Sequence, residues 1–218
     1  MQPNMAQVLN TLAHEIRTPL AVSQGYLKLY VDGRLTTPDD QRRALQQTRE
    51  ALGVIAALCS DMSKVSALSE AAAPALAERI DMSLLAQELR ASRELAGAAW
   101  SEIPAPAAHV ATNAPKDLVR AIAVACKVAF DEEKEAPHHV LVSAEDNALV
   151  IRAGTEAAVR MLPSTPDGPG ATAVNVVRGG KGLSLIWATY VFAQHRIQTW
   201  NHQDHKASAG IRIPLVTV

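Results

Sequence analysis

The chain has 218 residues, 48% hydrophobic but only 4% aromatic, with a formal charge of -1. That length suits one or two domains cored by Ala, Leu, Val and Ile, and the near-zero charge leaves no electrostatic footprint for nucleic acid or an anionic membrane. Cys59 and Cys126 are too few for a disulfide framework and lack metal-site spacing; with no apolar run approaching the ~18 residues of a membrane span and no signal-peptide pattern, a cytoplasmic chain without a membrane segment is expected.

In chain order, residues 4–31 read as a helix. Met5, Val8, Leu9, Leu12, Ile16, Leu20 and Leu27 recur at helical spacing and share one stripe. His14 falls roughly opposite that stripe, with Thr18 one turn on and Gln7 and Thr11 near it. Pro19 deprives the Glu15 carbonyl of its partner, so a bend is expected beside the histidine. Asp32–Thr36 reads as a turn. Thr37-Pro38-Asp39-Asp40 is a strong helix start, with a cap, a proline at the first position and two acids at the positive end of the dipole. The second helix runs to about Ser69, with Leu45, Leu52, Ile55, Leu58, Met62, Val65 and Leu68 on its apolar face. Two antiparallel helices cannot cover both stripes alone, so a dimeric four-helix bundle is expected.

Ala71–Ala75 is small and proline-broken and reads as a linker, separating residues 1–70 from a second domain at 78–218. There the reading gives a short strand at 79–83, a helix over 84–99, loop plus weak strand over 101–115 and a helix over 116–132. Residues 140–144 and 148–152 flank Glu145-Asp146-Asn147 as a hairpin. Residues 153–175 read as an irregular lid or loop, 182–195 as a helix, and 196–201 with 209–216 as a closing hairpin. That order implies an α/β sandwich with its helices on one sheet face, and an α+β chain overall.

His14-Glu15-Ile16-Arg17-Thr18-Pro19-Leu20 resembles, at every position, the phosphoacceptor box of sensor histidine kinases. The hairpin also resembles that family's dimerisation and phosphoacceptor domain, and the layout of 78–218 resembles its ATP-binding domain. The resemblance implies that His14 is the phosphoacceptor, that Glu15 orients or activates the imidazole, that Arg17 helps with phosphoryl charge, and that Thr18 can position water to dephosphorylate a receiver.

The second domain departs from the family. Val124–Phe130, where active kinases carry an Asn that helps hold Mg²⁺ and phosphate, has neither Asn nor carboxylate. Ile151–Ala157, matching the Asp-x-Gly-x-Gly box that reads adenine, keeps one Gly and no Asp. Arg178–Leu185 resembles the second glycine box, with Gly179, Gly180 and Gly182 as a degenerate loop that most simply shapes a turn into a helix. His202, Asp204 and His205 read as a solvated turn and His138-His139 as non-metal-binding. Ser23 and Ser184 lack a base partner, so no hydrolase triad is expected.

The expected function is therefore a histidine phosphotransferase, most like the ChpT-type, relaying phosphate through His14 between response-regulator receiver domains. It would have no cofactor or metal of its own, with Mg²⁺ supplied by the receiver. No sensor region is recognisable, so input from another protein is expected. Two other readings stand beside it: an ATP-dependent kinase with diverged nucleotide contacts, and a receiver phosphatase or scaffold.

Overall fold

The computed structural model describes residues 5–70, 75–102, 108–174, 182–205 and 207–216. The chain divides into two compact units: residues 3–70 with 177–186, and residues 71–176 with 187–218.

The first unit is a helical hairpin. Helix α1 spans Met5–Val31 and continues unbroken through Pro19; α2 spans Pro38–Glu70. Gly33 ends α1 at φ +67, the left-handed conformation that glycine adopts without a Cβ penalty. Its N–H donates to the Tyr30 carbonyl and the Arg34 N–H to the Leu29 carbonyl, which together satisfy the last carbonyls of the helix. Thr37 caps α2 as expected: its Oγ1 accepts from the Asp40 N–H at 3.1 Å, and its hydroxyl donates to the Asp40 carboxylate at 2.6 Å. Burial divides the expected stripe of α1. Val8 is buried and Leu12 and Ile16 are half-buried, whereas Met5, Leu9, Leu20 and Leu27 are exposed. On α2, Val65, Ala44, Thr48 and Ala51 are buried while Leu45, Leu52 and Val54 are exposed. Contrary to the expectation that no apolar run approaches a membrane span, Pro38–Leu68 is long and apolar enough, by length and composition, to cross one. An Asp61–Lys64 ion pair interrupts it.

The second unit contains β1 (Glu78–Asp81), α3 (Met82–Ala91), β2 (Ala99–Glu102), β3 (His109–Thr112) and α4 (Pro115–Phe130). It continues with β4 (His138–Glu145), β5 (Ala148–Thr155), α5 (Glu156–Met161), β6 (Ala171–Ala173), the part of α6 (Gly182–Gln194) from Trp187 on, β7 (Gln198–His202) and β8 (Ser208–Val216). The strands form one sheet in the order β1-β3-β8-β5-β4-β2, with β7 also paired to β8 and β6 to β7. All these pairings are antiparallel except β2 with β4.

Three expectations need correction. The helix placed over 84–99 ends at Ala91, where the Ser92 hydroxyl and N–H both donate to the Leu89 carbonyl, and Ala99–Glu102 is a strand. The stretch 153–175 is not irregular throughout, since it ends β5 and then forms α5 and β6. The sheet is also covered on both faces. Alternation along β5 sends Leu149, Ile151 and Ala153 to one side, and α4 packs along β5 and β8. Val150, Arg152 and Gly154 point the other way, where Val150 packs with Leu162 and Trp200. Trp200 lies flat over Gly210, its neighbour across the β7–β8 ladder, and its indole N–H donates to the Pro163 carbonyl at 3.1 Å. A Cβ on Gly210 would stand 2.2 Å from the indole.

Candidate functional site

His14 lies two turns into α1 and is exposed, as are Arg17 and Thr18. Thr18 follows His14 by four residues and so shares its side of the helix. Glu15 is half-buried and carries a partner of its own. It projects about 100° round the helix from His14. Thr11, expected beside His14 on the open side, is instead buried at 5% exposure. Ser23 is buried too, its hydroxyl donating to the Pro19 carbonyl at 3.0 Å, so it is spoken for structurally. Downstream of Thr18 the surface stays open, with Ala21, Val22 and Gly25 all exposed.

Two of the stretches that match the family's nucleotide contacts, 124–130 and 151–157, are in the second unit. Along α4, Ala125, Cys126, Val128, Ala129 and Phe130 are buried, and burial pushes the Cys126 thiol up to about 12. Lys127, the one charged side chain in 124–130, is paired with Asp131 at 2.7 Å. This is apolar packing with no oxygen donor for a hard cation, so the residues do not fit Mg²⁺. Among the described residues no cluster of three or more His, Cys, Asp or Glu is arranged to hold a metal ion.

The glycine kept from the adenine box has a reason within the fold. Gly154 has φ +152, and a Cβ there would stand 2.3 Å from the Ala207 carbonyl oxygen. Beside it Arg152, 7% exposed, donates to both Glu145 carboxylate oxygens at 2.8 and 3.0 Å, to Ser143 at 3.2 Å and to Ser164 at 2.6 Å. Burial raises the Glu145 carboxyl, but hydrogen bonds from Ser143, Ser164 and Arg152 outweigh it and hold the group below its ordinary range. Glu156, the only carboxylate within 151–157, is ion-paired to Arg160. The sequence reading missed this cluster. Its signal was an arginine inside the otherwise apolar run Ala148–Ala153. Of the second glycine box, Gly179 and Gly180 lie outside the described residues, and Gly182 opens α6.

The histidines set aside in the sequence are structural, with one correction. His202 is buried rather than solvated: its Nδ1 accepts from the Asp204 N–H at 3.2 Å, and its backbone N–H donates to Ser208 Oγ at 2.8 Å. His205 Nε2 lies 3.1 Å from the Met161 sulfur. His138 stacks on Phe130 with ring centroids 4.3 Å apart. His195 was not singled out, yet it is buried with both ring nitrogens engaged: Nδ1 is 2.8 Å from the Val191 carbonyl and Nε2 is 3.0 Å from Thr112 Oγ1. A carbonyl only accepts, so Nδ1 carries the proton and Nε2 accepts from Thr112.

Residues 4–70 match the His Kinase A (phospho-acceptor) domain family. No curated protein sequence matches the chain. Among solved structures it is similar to the histidine kinase AdeS of Acinetobacter baumannii, at 15% identity and TM-score 0.56 over 94% of this chain and 98% of that one. It also aligns with the histidine kinase domain of the E. coli osmosensor EnvZ, at 17% identity and TM-score 0.40 over 65% of this chain and 89% of that one. A histidine kinase from Burkholderia phymatum aligns at 13% identity and TM-score 0.38 over 93% of this chain and 95% of that one. The hairpin that presents His14 thus matches the His Kinase A (phospho-acceptor) domain family, and the chain is similar in fold to a solved histidine kinase.

Proposed function

We propose that this is a ChpT-type histidine phosphotransferase, which relays a phosphoryl group through His14 between receiver domains of response regulators without using ATP. The observation that carries the reading is a contrast within one chain. His14 stands exposed inside a full phosphoacceptor motif, while 124–130 is buried apolar helix whose one cation is already paired. Arg152, paired with Glu145, adds to that contrast, because it stands on the strand where the family's kinases carry their adenine contact.

In the transfer, a ring nitrogen of His14 attacks the phosphorus of a receiver's phosphoaspartate. The N–P bond forms as the P–O bond to the carboxylate breaks, and the carboxylate leaves as an anion. The reverse step onto a second receiver's aspartate restores the imidazole. Such chemistry needs alignment and charge stabilisation more than covalent machinery. Mg²⁺ held in the receiver's acidic pocket supplies charge neutralisation. Glu15 orients the imidazole and Arg17 faces the phosphoryl oxygens. The exposed Met5, Leu9, Leu20, Leu27 and Leu52 support a homodimer in which two hairpins bury them, acting in the cytoplasm.

The test is incubation with a phosphorylated receiver, followed by detection of acid-labile phosphate on the chain. Label on the unaltered protein and none on His14→Ala is expected. Tight binding of Mg-ATP in calorimetry would overturn the ATP-independent reading. The exposed Thr18, one turn past His14, favours a second reading as a receiver phosphatase. A His14→Ala protein that still dephosphorylates its receiver selects that one.

A further inference from the structure

Between α3 and α4 a groove of about 460 Å³ opens on the second unit. Its floor is apolar, made by Ile80 from β1, Leu84 from α3, and Val119 and Ala123 from α4. Leu84 is 45% exposed there. The two walls carry opposite charge. Glu88 on α3 and Glu94 just beyond it line one side, and Lys116 and Arg120 on α4 line the other. Glu88, Glu94 and Lys116 make no hydrogen bond or ion pair among the described residues. The groove thus holds its acidic and basic walls apart. Arg120 rests over the Trp187 ring, 4.9 Å from its centroid.

The lining residues also have a period. On α3 they are spaced 84, 88, 91, and on α4 116, 119/120, 123, so each ridge runs for two turns, about 10 Å at 1.5 Å per residue. Two such ridges with an apolar trough between them form the seat that a third helix fills. We propose that this groove docks an amphipathic helix of a partner protein. Its apolar stripe repeats at i, i+3 or i+4, and i+7; acids on one flank meet Lys116 and Arg120, and bases on the other meet Glu88 and Glu94. A small ligand fits less well, because the polar groups stand on opposite rims instead of converging on one point. The inference is independent of how His14 becomes phosphorylated.

The test uses the full chain and a fluorescein-labelled, hydrocarbon-stapled helical peptide with a Leu stripe, one Glu flank and one Lys flank. A companion peptide carries Lys on both flanks. Saturable binding of the mixed peptide is expected in fluorescence anisotropy, with amide shifts at Val119 and Ala123. Leu84→Asp is expected to weaken it at least tenfold. Should that variant lose its circular dichroism spectrum, Ala91→Glu, at an exposed lining position, replaces it. Lys116→Glu with Arg120→Glu is expected to weaken the mixed peptide and to tighten the all-Lys peptide. No saturable binding, shifts confined to another surface, or binding that these substitutions leave unchanged overturns the proposal.

Discussion

Arg152 shows how one side chain can settle a local question. Its guanidinium is buried and its charge is answered by Glu145, with Ser143 and Ser164 completing the cluster. Truncation to Ala leaves the partly exposed Glu145 carboxylate without its partner, a loss smaller than the ~3 kcal/mol of breaking a fully buried pair. A lowered urea unfolding midpoint is expected for Arg152→Ala, with a smaller loss for Arg152→Met paired with Glu145→Leu. His195 acts through pH. Burial lowers its pKa below 6.5, while its bond to the Val191 carbonyl and the charge of Asp117 oppose the shift only in part. The unfolded chain therefore binds a proton more readily, so His195 contributes stability that is complete above about pH 6.5 and is lost as pH falls below it. Urea midpoints at pH 7.5 and 5.5 should differ more for the unaltered protein than for His195→Gln. From sequence alone Arg152 was legible only as a missing aspartate, and His195 not at all. What fixes each is a partner 7 and 83 residues away, and no local pattern records that separation.

At the scale of elements, the hairpin was the most readable part of the chain, because its signals are local. Gly33 and Thr37 mark the end of α1 and the start of α2 through bonds to residues three or four positions away. Thr37→Ala removes the acceptor for the Asp40 N–H and is expected to cost about 1 kcal/mol, read as a lower thermal midpoint. The β4–β5 turn was also legible: Asp146 and Asn147 take φ of 45° and 58°, as a two-residue hairpin loop requires. The elements that escaped owe their form to tertiary pairing. Ala99–Glu102 becomes a strand by lying parallel to β4, and Ala171–Ala173 by pairing with β7. Neither has an apolar alternation of its own. Helix α5 hid in a stretch whose later glycines and prolines suggested loop, although Thr155 caps it through the Ala158 N–H.

Across the whole molecule, the exposed leucines of α1 and α2 make the strongest demand for a partner. Leu9 and Leu52 are each 52% exposed, and a helix that shows so much apolar surface requires cover. Sedimentation velocity of the unaltered chain should give a dimer, and Leu9→Asp with Leu52→Asp a monomer that keeps its helical circular dichroism. The same unmet stripe accounts for the span-like character of Pro38–Leu68, since covering by a second hairpin and covering by lipid ask for the same composition.

The two cysteines give the chain a built-in clock. Each unit holds one: Cys59 is exposed on the hairpin, and Cys126 is sealed within α4 with its thiol pushed up to about 12. A thiol reagent therefore meets Cys59 at once and Cys126 only when the second unit opens, because the thiolate is the reacting form and burial withholds it. Without any label being introduced, the ratio of the two reaction rates reports how often one half of the molecule breathes while the other stands still.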